Sequence, residues 1–180
     1  MILEAPIPSR RLLLRTLQPE DASGPYGRWM HDAEVVRFLE VRHQPPVGTT
    51  GLQSFISTAN ADPATLLLGI CLREGGRHIG NIKLGPVDRH NLRGDIGFLI
   101  GERDARGQGF ASEAISAVAS HAFASLGLAK VTAGCHRTNG ASARALEKAG
   151  FVHEATLRAH WRLDGGAEDG LLYARFAPEA

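Results

Sequence analysis

Several features that would assign a function at once are scarce in this sequence of 180 residues. Positive and negative side chains nearly balance, with a formal net charge of +1, and Lys and Arg form no long block. Binding to phosphate backbones needs a concentrated basic surface, so we expect no nucleic-acid partner. No apolar run approaches the length of a membrane span, and the N-terminus lacks the apolar core of a secretory signal. We therefore expect no membrane association.

Cysteine is almost absent as well. The sequence holds two, Cys71 and Cys135, which lie far apart and lack the spacing of metal ligands. We expect two reduced core thiols in a cytoplasmic protein, with no metal site. There are no internal repeats, and the hydrophobic fraction of 43% is ordinary for a globular protein. This composition indicates one domain over residues 1–180, with its core at roughly residues 10–176.

What the chain does contain is a strand, a glycine turn and a long helix between Ile96 and Leu126. Ile96–Ile100 is almost continuously apolar, as expected for a strand covered on both faces. Beyond Phe110, apolar side chains recur every three or four residues, the pattern of an amphipathic helix. The loop between them reads Arg106-Gly107-Gln108-Gly109-Phe110-Ala111. Glycines before a helix let backbone N–H groups approach a ligand, and the helix dipole favours an anion, so this loop predicts a phosphate site.

Two other phosphate-binding loops fit this turn poorly. A Walker loop requires Gly-Lys-Ser/Thr, whereas Gly109 is followed by Phe110 and Ala111. A dinucleotide fingerprint requires an acidic residue about twenty positions further on, and residues 127–132 hold no carboxylate. A tight turn that binds nothing is the remaining alternative for this stretch alone.

Residues on both sides of the turn resemble the GNAT superfamily of N-acetyltransferases. Arg106-x-x-Gly109-x-Ala111 after an apolar strand is similar to the loop that binds the acyl-CoA pyrophosphate in that superfamily. Other segments resemble the branch that acetylates the N-termini of ribosomal proteins: 11–17, 32–39, Asn139-x-x-Ser142, 146–151 and 169–173. The resemblance covers roughly residues 10–176. Each motif is weakly specific, and their order and spacing together carry the resemblance.

The resemblance implies an α/β fold with a single domain. Its mixed, mostly antiparallel sheet would splay around acyl-CoA and be flanked by about four helices. Acetyl-CoA would be the co-substrate, no metal would take part, and an amine would attack the thioester directly. The loop 106–111 would hold the pyrophosphate, while Leu99 and Ile100 at the end of the central strand would align the pantetheine arm.

Ser142 and Asp95 are the candidate catalytic residues. Many superfamily members carry Tyr seven residues after the Asn equivalent to Asn139, as a proton donor to the departing thiolate, but here that position is Leu146. Ser142 is the candidate substitute, and Ser142 and Asn139 would also contact the cofactor. Helix capping is the alternative role for both. Asp95 lies where the superfamily often places a carboxylate base, and a solvated charge is its alternative.

Two histidines are alternative bases, His136 and His160, because imidazole titrates near neutrality. The resemblance favours a protein N-terminal α-amine as acceptor, and its pKa of about 8 would allow a weak base to suffice. Tyr26, Trp29 and Met30 share one side of a predicted helix. These side chains have two alternative roles, packing in the core or lining the acceptor cleft. The alternative functions are acetylation of a small-molecule amine or antibiotic, and acyl-CoA binding by a non-catalytic module. The acyl chain and the oligomeric state stay open.

The rest of the pattern predicts the order of elements. Residues 1–10 form a lead-in, 11–17 an edge strand, and 85–94 a polar loop. The prolines of segment 44–48 predict a break. Further strands are predicted at 64–73, 77–84, 130–136, 151–163 and 171–176, and further helices from residue 19, at 52–59 and at 139–148.

Overall fold

The computed structural model describes residues 1–43 and 48–178 and arranges them around one sheet of eight strands. In chain order the strands are β1 (Ile7–Pro8), β2 (Leu12–Thr16), β3 (Leu66–Leu72), β4 (His78–Leu84), β5 (Arg93–Ile100), β6 (Lys130–His136), β7 (Val152–Leu163) and β8 (Gly166–Phe176). Their order across the sheet is β1-β2-β3-β4-β5-β6-β8-β7. All neighbours are antiparallel except β5 and β6. The expected mixed, mostly antiparallel sheet is confirmed.

Helices cover both faces of this sheet. In the described part of the chain they are α1 (Pro25–Trp29), α2 (Ala33–Val36), α3 (Gly48–Ala61), α4 (Phe110–Ala124) and α5 (Gly140–Lys148). The expected break at residues 44–48 lies outside the described residues except for Gly48, which begins α3. None of the helices within 1–43 and 48–178 combines the length and apolar character needed to cross a membrane.

Two hydrophobic cores hold the helices on the sheet. On one face, α4 buries Ala114, Ile115 and Val118 completely against the strands. Each large aliphatic side chain buried in this way contributes roughly 1.5–3 kcal/mol. On the other face, Tyr26 and Trp29 are buried with residues of α3 in a second cluster. The core interpretation of this aromatic pair is therefore confirmed.

The first strands depart from the sequence prediction. Residues 7 and 8 lie in a strand rather than a lead-in, and they pair with Leu13 and Leu14. The strand predicted at 11–17 therefore has neighbours on both sides and is not an edge. A strand of two residues has no periodicity to detect, and Pro8 argued against one. The edge position explains how a proline is tolerated there.

The last strand starts earlier than predicted. It begins at Gly166 rather than Leu171, because a turn at Asp164-Gly165 returns the chain directly beside β7. Both turn residues have positive φ, 50° and 82°, which suits the two-residue turn of a hairpin.

A carboxylate fixes the beginning of α4. Glu113 accepts hydrogen bonds from the Ser9 hydroxyl at 2.7 Å and from the Arg11 N–H at 2.6 Å. The Arg11 guanidinium donates to Glu113 at 2.7 Å and lies 4.4 Å from the centre of the Phe110 ring. Burial opposes ionisation of Glu113, but these donors lower its pKa below the ordinary value. The first turn of α4 is thus tied to the connection between β1 and β2.

Candidate functional site

The two central strands separate to form a fork. β5 and β6 pair only at Arg93–Lys130, Gly94–Val131 and Asp95–Thr132. Beyond these pairs, residues 96–100 of β5 and 133–136 of β6 continue without pairing to each other. The splay implied by the resemblance is present, and it leaves one side of β5 free of a strand partner.

The alternation of β5 decides which backbone groups face this gap. Gly101 N–H donates to Ile79 O at 2.9 Å, which directs every second backbone unit of β5 towards β4. Leu99 belongs to that set, so its backbone faces β4 and not the gap. The backbones of Phe98 and Ile100 face the gap. Leu99 and Ile100 are the two strand residues predicted to align the cofactor, and of these Ile100 turns its backbone towards the gap. Phe98, which the sequence analysis did not name, does the same.

A groove of about 390 Å³ begins at the fork and continues to the glycine loop. Residues of β5, the glycine loop and two helices line it together, so that one groove could hold both a CoA arm and its pyrophosphate. Its lining includes Phe98, Leu99, Ile100, Arg106, Gly107, Gly109, Phe110, Ala111, Asn139 and Ser142. We call it the cofactor groove. Every predicted cofactor residue except Gln108 lines it.

The loop has the backbone geometry of an anion site. Gly107 and Gly109 adopt φ of 75° and 80°, a region that favours glycine, and Gly109 caps α4. No acceptor within residues 1–43 and 48–178 reaches the N–H groups of residues 107–112. Helix entrances leave such donors unpaired, and an anion satisfies them. Gln108 lies outside the lining, and its side chain donates back to Asp104 O.

Arg106 lines the groove and is hydrogen-bonded within the chain. Its guanidinium donates to Ile100 O at 3.3 Å and to Gly101 O at 3.1 Å, and lies 3.4 Å from Glu34. The side chain therefore ties the loop to the end of β5. Positive side chains that line the groove and that the sequence analysis missed are Arg144 and Lys148 on α5. Their spacing of four residues on one helix was the available signal.

At the start of α5, the capping role and the groove position coexist. The side-chain oxygen of Asn139 accepts from Ser142 N–H at 3.2 Å, so Asn139 is the cap. The Ser142 hydroxyl has no hydrogen-bond partner among the described residues. Both residues line the cofactor groove and also the cavity next to it. Capping therefore accounts for Asn139 and leaves the hydroxyl of Ser142 available.

That second cavity, of about 420 Å³, lies on the sheet face covered by α1 and α3. We call it the acceptor cavity. It shares Phe38, Leu39, Phe98, Leu99, Asn139 and Ser142 with the cofactor groove, so the two are continuous. Aromatic and aliphatic side chains dominate its lining: Tyr26, Met30, Phe38, Leu39, Val41, Leu52, Phe55, Leu67 and Trp161. Glu40 and Lys83 are the charged side chains in the lining that the structure describes.

Two groups in this lining are unreactive near neutral pH. Burial raises the pKa of Tyr26 to about 12 and the pKa of Cys135 to about 11. A thiol with that pKa is a poor nucleophile because almost none of it is thiolate. The raised pKa of Cys135 is in keeping with direct attack by an amine, the mechanism that the resemblance implies.

Asn81 brings an unpaired donor to the acceptor cavity. Its Oδ1 lies 2.7 Å from Nε2 of His78, which is also 2.9 Å from Gly80 O. The Gly80 carbonyl only accepts, so His78 Nε2 carries a proton and the Asn81 atom facing it is oxygen. Burial lowers the pKa of His78, in keeping with a neutral ring. The amide nitrogen of Asn81 is buried and has no partner among the described residues.

His136 also lines the acceptor cavity. Its Nδ1 lies 2.8 Å from Glu168 Oε2, while its Nε2 is buried without a partner in the described chain. Trp161 stacks on the ring at 4.3 Å between centroids, and the Phe38 ring lies at 5.3 Å. The sequence analysis named His136 as an alternative and missed Glu168, because 32 residues separate them and only the pairing of β6 with β8 joins them.

Asp95 lies at the base of the fork and outside the cavity lining. It is half-buried rather than a solvated charge, and its carboxylate accepts from the Thr132 hydroxyl at 2.7 Å. Burial raises the pKa of Asp95, although the Thr132 hydrogen bond and the Lys83 charge oppose the change. His160 is exposed and contacts the edge of Trp161. Among residues 1–43 and 48–178, no cluster of three or more His, Cys, Asp or Glu could hold a metal ion.

Comparison with known proteins agrees with this geometry. Residues 11–152 match the acetyltransferase (GNAT) domain family. The uncharacterized N-acetyltransferase YoaA of Bacillus subtilis (strain 168) is 31% identical over 170 residues, covering 93% of this chain and 94% of that protein. RimL, a ribosomal L7/L12 alpha-N-protein acetyltransferase solved with coenzyme A, superposes with a TM-score of 0.84 at 18% identity, over 95% of this chain and 97% of its own. A spermidine N-acetyltransferase from Vibrio cholerae gives 0.82 and 18%, over 93% and 96%.

The family match and the curated relative together identify the class of this protein. The family match spans most of the chain, and the relative is similar over nearly its full length. The chain therefore belongs to the GNAT acetyltransferase family and is an acyl-CoA-dependent N-acetyltransferase. The two solved structures show the shared fold, and their names give them different amine acceptors.

Proposed function

We propose that this enzyme transfers the acetyl group of acetyl-CoA to the α-amine of a peptide or protein N-terminus, in the cytoplasm. The observation that carries this proposal is the mainly aromatic and aliphatic lining of the acceptor cavity, in whose described part Glu40 and Lys83 are the charged side chains. An apolar cavity next to the thioester suits an amine attached to an apolar side chain. Glu40 is the one carboxylate in the part of this lining that the structure describes, which is too little negative charge to hold a polycation such as spermidine.

The cofactor groove supplies what acetyl-CoA needs. The unpaired N–H groups of residues 107–112 would hold the pyrophosphate, with Arg144 and Lys148 adding positive charge. The backbone of Phe98 and the N–H of Ile100, whose carbonyl accepts from Arg106, would pair with the amides of the pantetheine arm. A backbone N–H at this edge would polarise the thioester carbonyl as a single-donor oxyanion hole. The sequence predicts catalytic roles for Ser142 and Asp95, and both roles stay predictions.

Asn81 favours an acceptor that carries a carbonyl beside its amine. A buried amide donor without a partner costs about 1–3 kcal/mol, which a substrate carbonyl would recover. In a peptide N-terminus the first carbonyl carbon is bonded to the same carbon as the α-amine. The carbonyl oxygen could therefore accept from Asn81 while the amine attacks the thioester. A simple alkylamine lacks this group.

The acceptor class can be tested with two matched peptides. We expect a peptide with a free α-amine, an apolar first residue and no Lys to be acetylated faster than the same peptide N-terminally blocked with an internal Lys. The reason is the apolar lining and the donor of Asn81. Release of CoA thiol measures both rates, with spermidine as a third acceptor. Equal or faster acetylation of the blocked peptide or of spermidine would contradict the acceptor, and CoA binding without thiol release from any amine would favour a non-catalytic module.

The role of Asn81 predicts a selective loss. In Asn81→Val we expect kcat/KM for phenylalanine amide to fall about 10-fold, since a hydrogen bond to a substrate carbonyl is lost. Acetylation of 2-phenylethylamine, which has the same ring and no carbonyl, should change by less than about twofold. Steady-state kinetics with both amines measures the difference. An equal loss for the two amines would show that Asn81 supports the cavity without contacting a carbonyl.

A further inference from the structure

The acceptor cavity holds a histidine that is hydrogen-bonded on one side only. His136 has 2% of its surface exposed, and its Nδ1 faces the Glu168 carboxylate at 2.8 Å. An ionised carboxylate only accepts hydrogen bonds, so Nδ1 carries the ring proton and Nε2 keeps its lone pair. That Nε2 is buried and has no partner among residues 1–43 and 48–178. Unsatisfied buried nitrogens are rare in proteins, and this one lines the cavity where an amine is acetylated.

Glu168 is built to stay ionised beneath the ring. Thr138 donates to its Oε1 from the backbone N–H at 2.8 Å and also from its hydroxyl. Burial alone would favour the neutral acid, but the hydrogen bonds from Thr138 and His136 lower the pKa of Glu168 below its ordinary value. A fixed negative charge at Nδ1 selects the tautomer and stabilises the imidazolium that forms when Nε2 takes a proton.

Strand register places His136 at the reaction level of the fork. The pair Asp95–Thr132 is the last across the fork, and side chains two and four residues further on lie on the same face. His136 is therefore level with Leu99 and with Asn81, which pairs with Leu99 on β4. His136 and Asn81 stand on opposite sides of the opening. Asp95 lies four residues below them, where its carboxylate is engaged by Thr132.

We propose that His136, oriented by Glu168, is the general base of acetyl transfer. The amine nitrogen attacks the thioester carbon, a C–N bond forms, and one amine proton passes to Nε2 of His136 directly or through a water. The C–S bond then breaks, CoA leaves as a thiolate hydrogen-bonded by Ser142, and the imidazolium of His136 returns its proton to that thiolate directly or through water, so that His136 is neutral again. The proposal rests on the acetyl transfer of the family and not on a peptide acceptor.

Few ionisable groups surround the ring of His136 in the described part of the chain. Trp161 and Phe38 cover its faces, and α5 presents Asn139 beside it. Glu168 contacts the ring itself, and the other titratable and charged groups in the described cavity lining are Glu40, Lys83, Tyr26 and Cys135. The last two have pKa values of about 12 and about 11 and stay protonated.

The test is the pH dependence of kcat/KM in His136→Gln and Glu168→Gln, with the amine that the parent enzyme acetylates fastest. We expect kcat/KM to fall about 10²–10⁴-fold in His136→Gln, and the limb that belongs to the base to disappear. In Glu168→Gln the loss should be smaller, and this limb should move to lower pH because the imidazolium loses its counter-charge. The affinity for CoA, measured by calorimetry, should stay within about twofold of the parent's in both.

A matched control is His90→Gln, the same change at an exposed loop residue outside both cavities. It should reproduce the parent's profile. A His136→Gln enzyme with the parent's profile would overturn the proposal. The proposal would also be overturned if Asp95→Asn, and not His136→Gln, lost the limb that belongs to the base, since that result would assign the base to Asp95.

A measurement on the unmodified enzyme covers the case in which the variants fail to fold. Nitrogen NMR of histidine-labelled protein should find the proton of His136 on Nδ1 and the lone pair on Nε2 at pH values where kcat/KM has reached its plateau. A proton on Nε2 under those conditions would overturn the proposal, because that nitrogen could not then accept one from the amine.

Discussion

Replacing Gly109 with valine is expected to weaken CoA binding about 100-fold or more, equivalent to about 2.7 kcal/mol. Gly109 has φ of 80° at the entrance of α4, a conformation that β-branched residues avoid. Space is available, since the nearest side-chain atom to an added Cβ is 3.6 Å away on Arg11. The loss would therefore come from rotation of the loop backbone, which turns its unpaired N–H groups away from the phosphates. Calorimetric titration of folded protein with CoA measures it.

The matched control for this change is Gly127→Val. Gly127 lies beyond the opposite end of α4, has φ of 66°, and an added Cβ there would meet nothing within 4 Å. Both variants should lose roughly 1–2 kcal/mol of stability through backbone strain. Only Gly109→Val should lose CoA affinity. Parental affinity in a folded Gly109→Val protein would remove the loop from the cofactor site.

Ser142→Ala is expected to lower kcat by about 10–10³-fold while the affinity for acetyl-CoA changes little. The hydroxyl of Ser142 lines both the cofactor groove and the acceptor cavity and has no partner among the described residues. It is therefore placed to stabilise the departing thiolate, an interaction made mainly in the transition state. Rapid-quench or steady-state turnover, with CoA affinity measured in parallel, separates kcat from binding.

Stability distinguishes this role from a structural one. Asn139 supplies the side-chain oxygen of the cap, whereas Ser142 contributes its backbone N–H, which alanine retains. The free energy of unfolding of Ser142→Ala should therefore lie within about 0.5 kcal/mol of the parent's. Ser120→Ala, on the exposed side of α4, is the control for a lost helix hydroxyl. A lowered melting temperature with parental turnover would assign Ser142 to the helix alone.

The sequence by itself determined the parts of this protein that depend on neighbouring residues. Alternation and apolar runs predicted β3, β4 and β6, and the glycines at 107 and 109 marked a helix entrance with free N–H groups. The Asn139-x-x-Ser142 spacing marked a cap because capping joins residues three apart. Each of these features is local, so its chemistry can be read from adjacent positions.

Only the tertiary structure decided how distant segments meet. Strand alternation gives no partner, so whether Leu99 or Phe98 turns its backbone to the fork depended on the register with β4. Glu168 reaches His136 only because β8 pairs with β6, and Trp161 and Phe38 reach the ring from still other segments. The unpaired Nε2 of His136 and the unpaired amide of Asn81 are likewise properties of a packed cavity. Long-range packing decided which polar atoms lost their water without gaining a partner, and those atoms mark the acceptor side of the site.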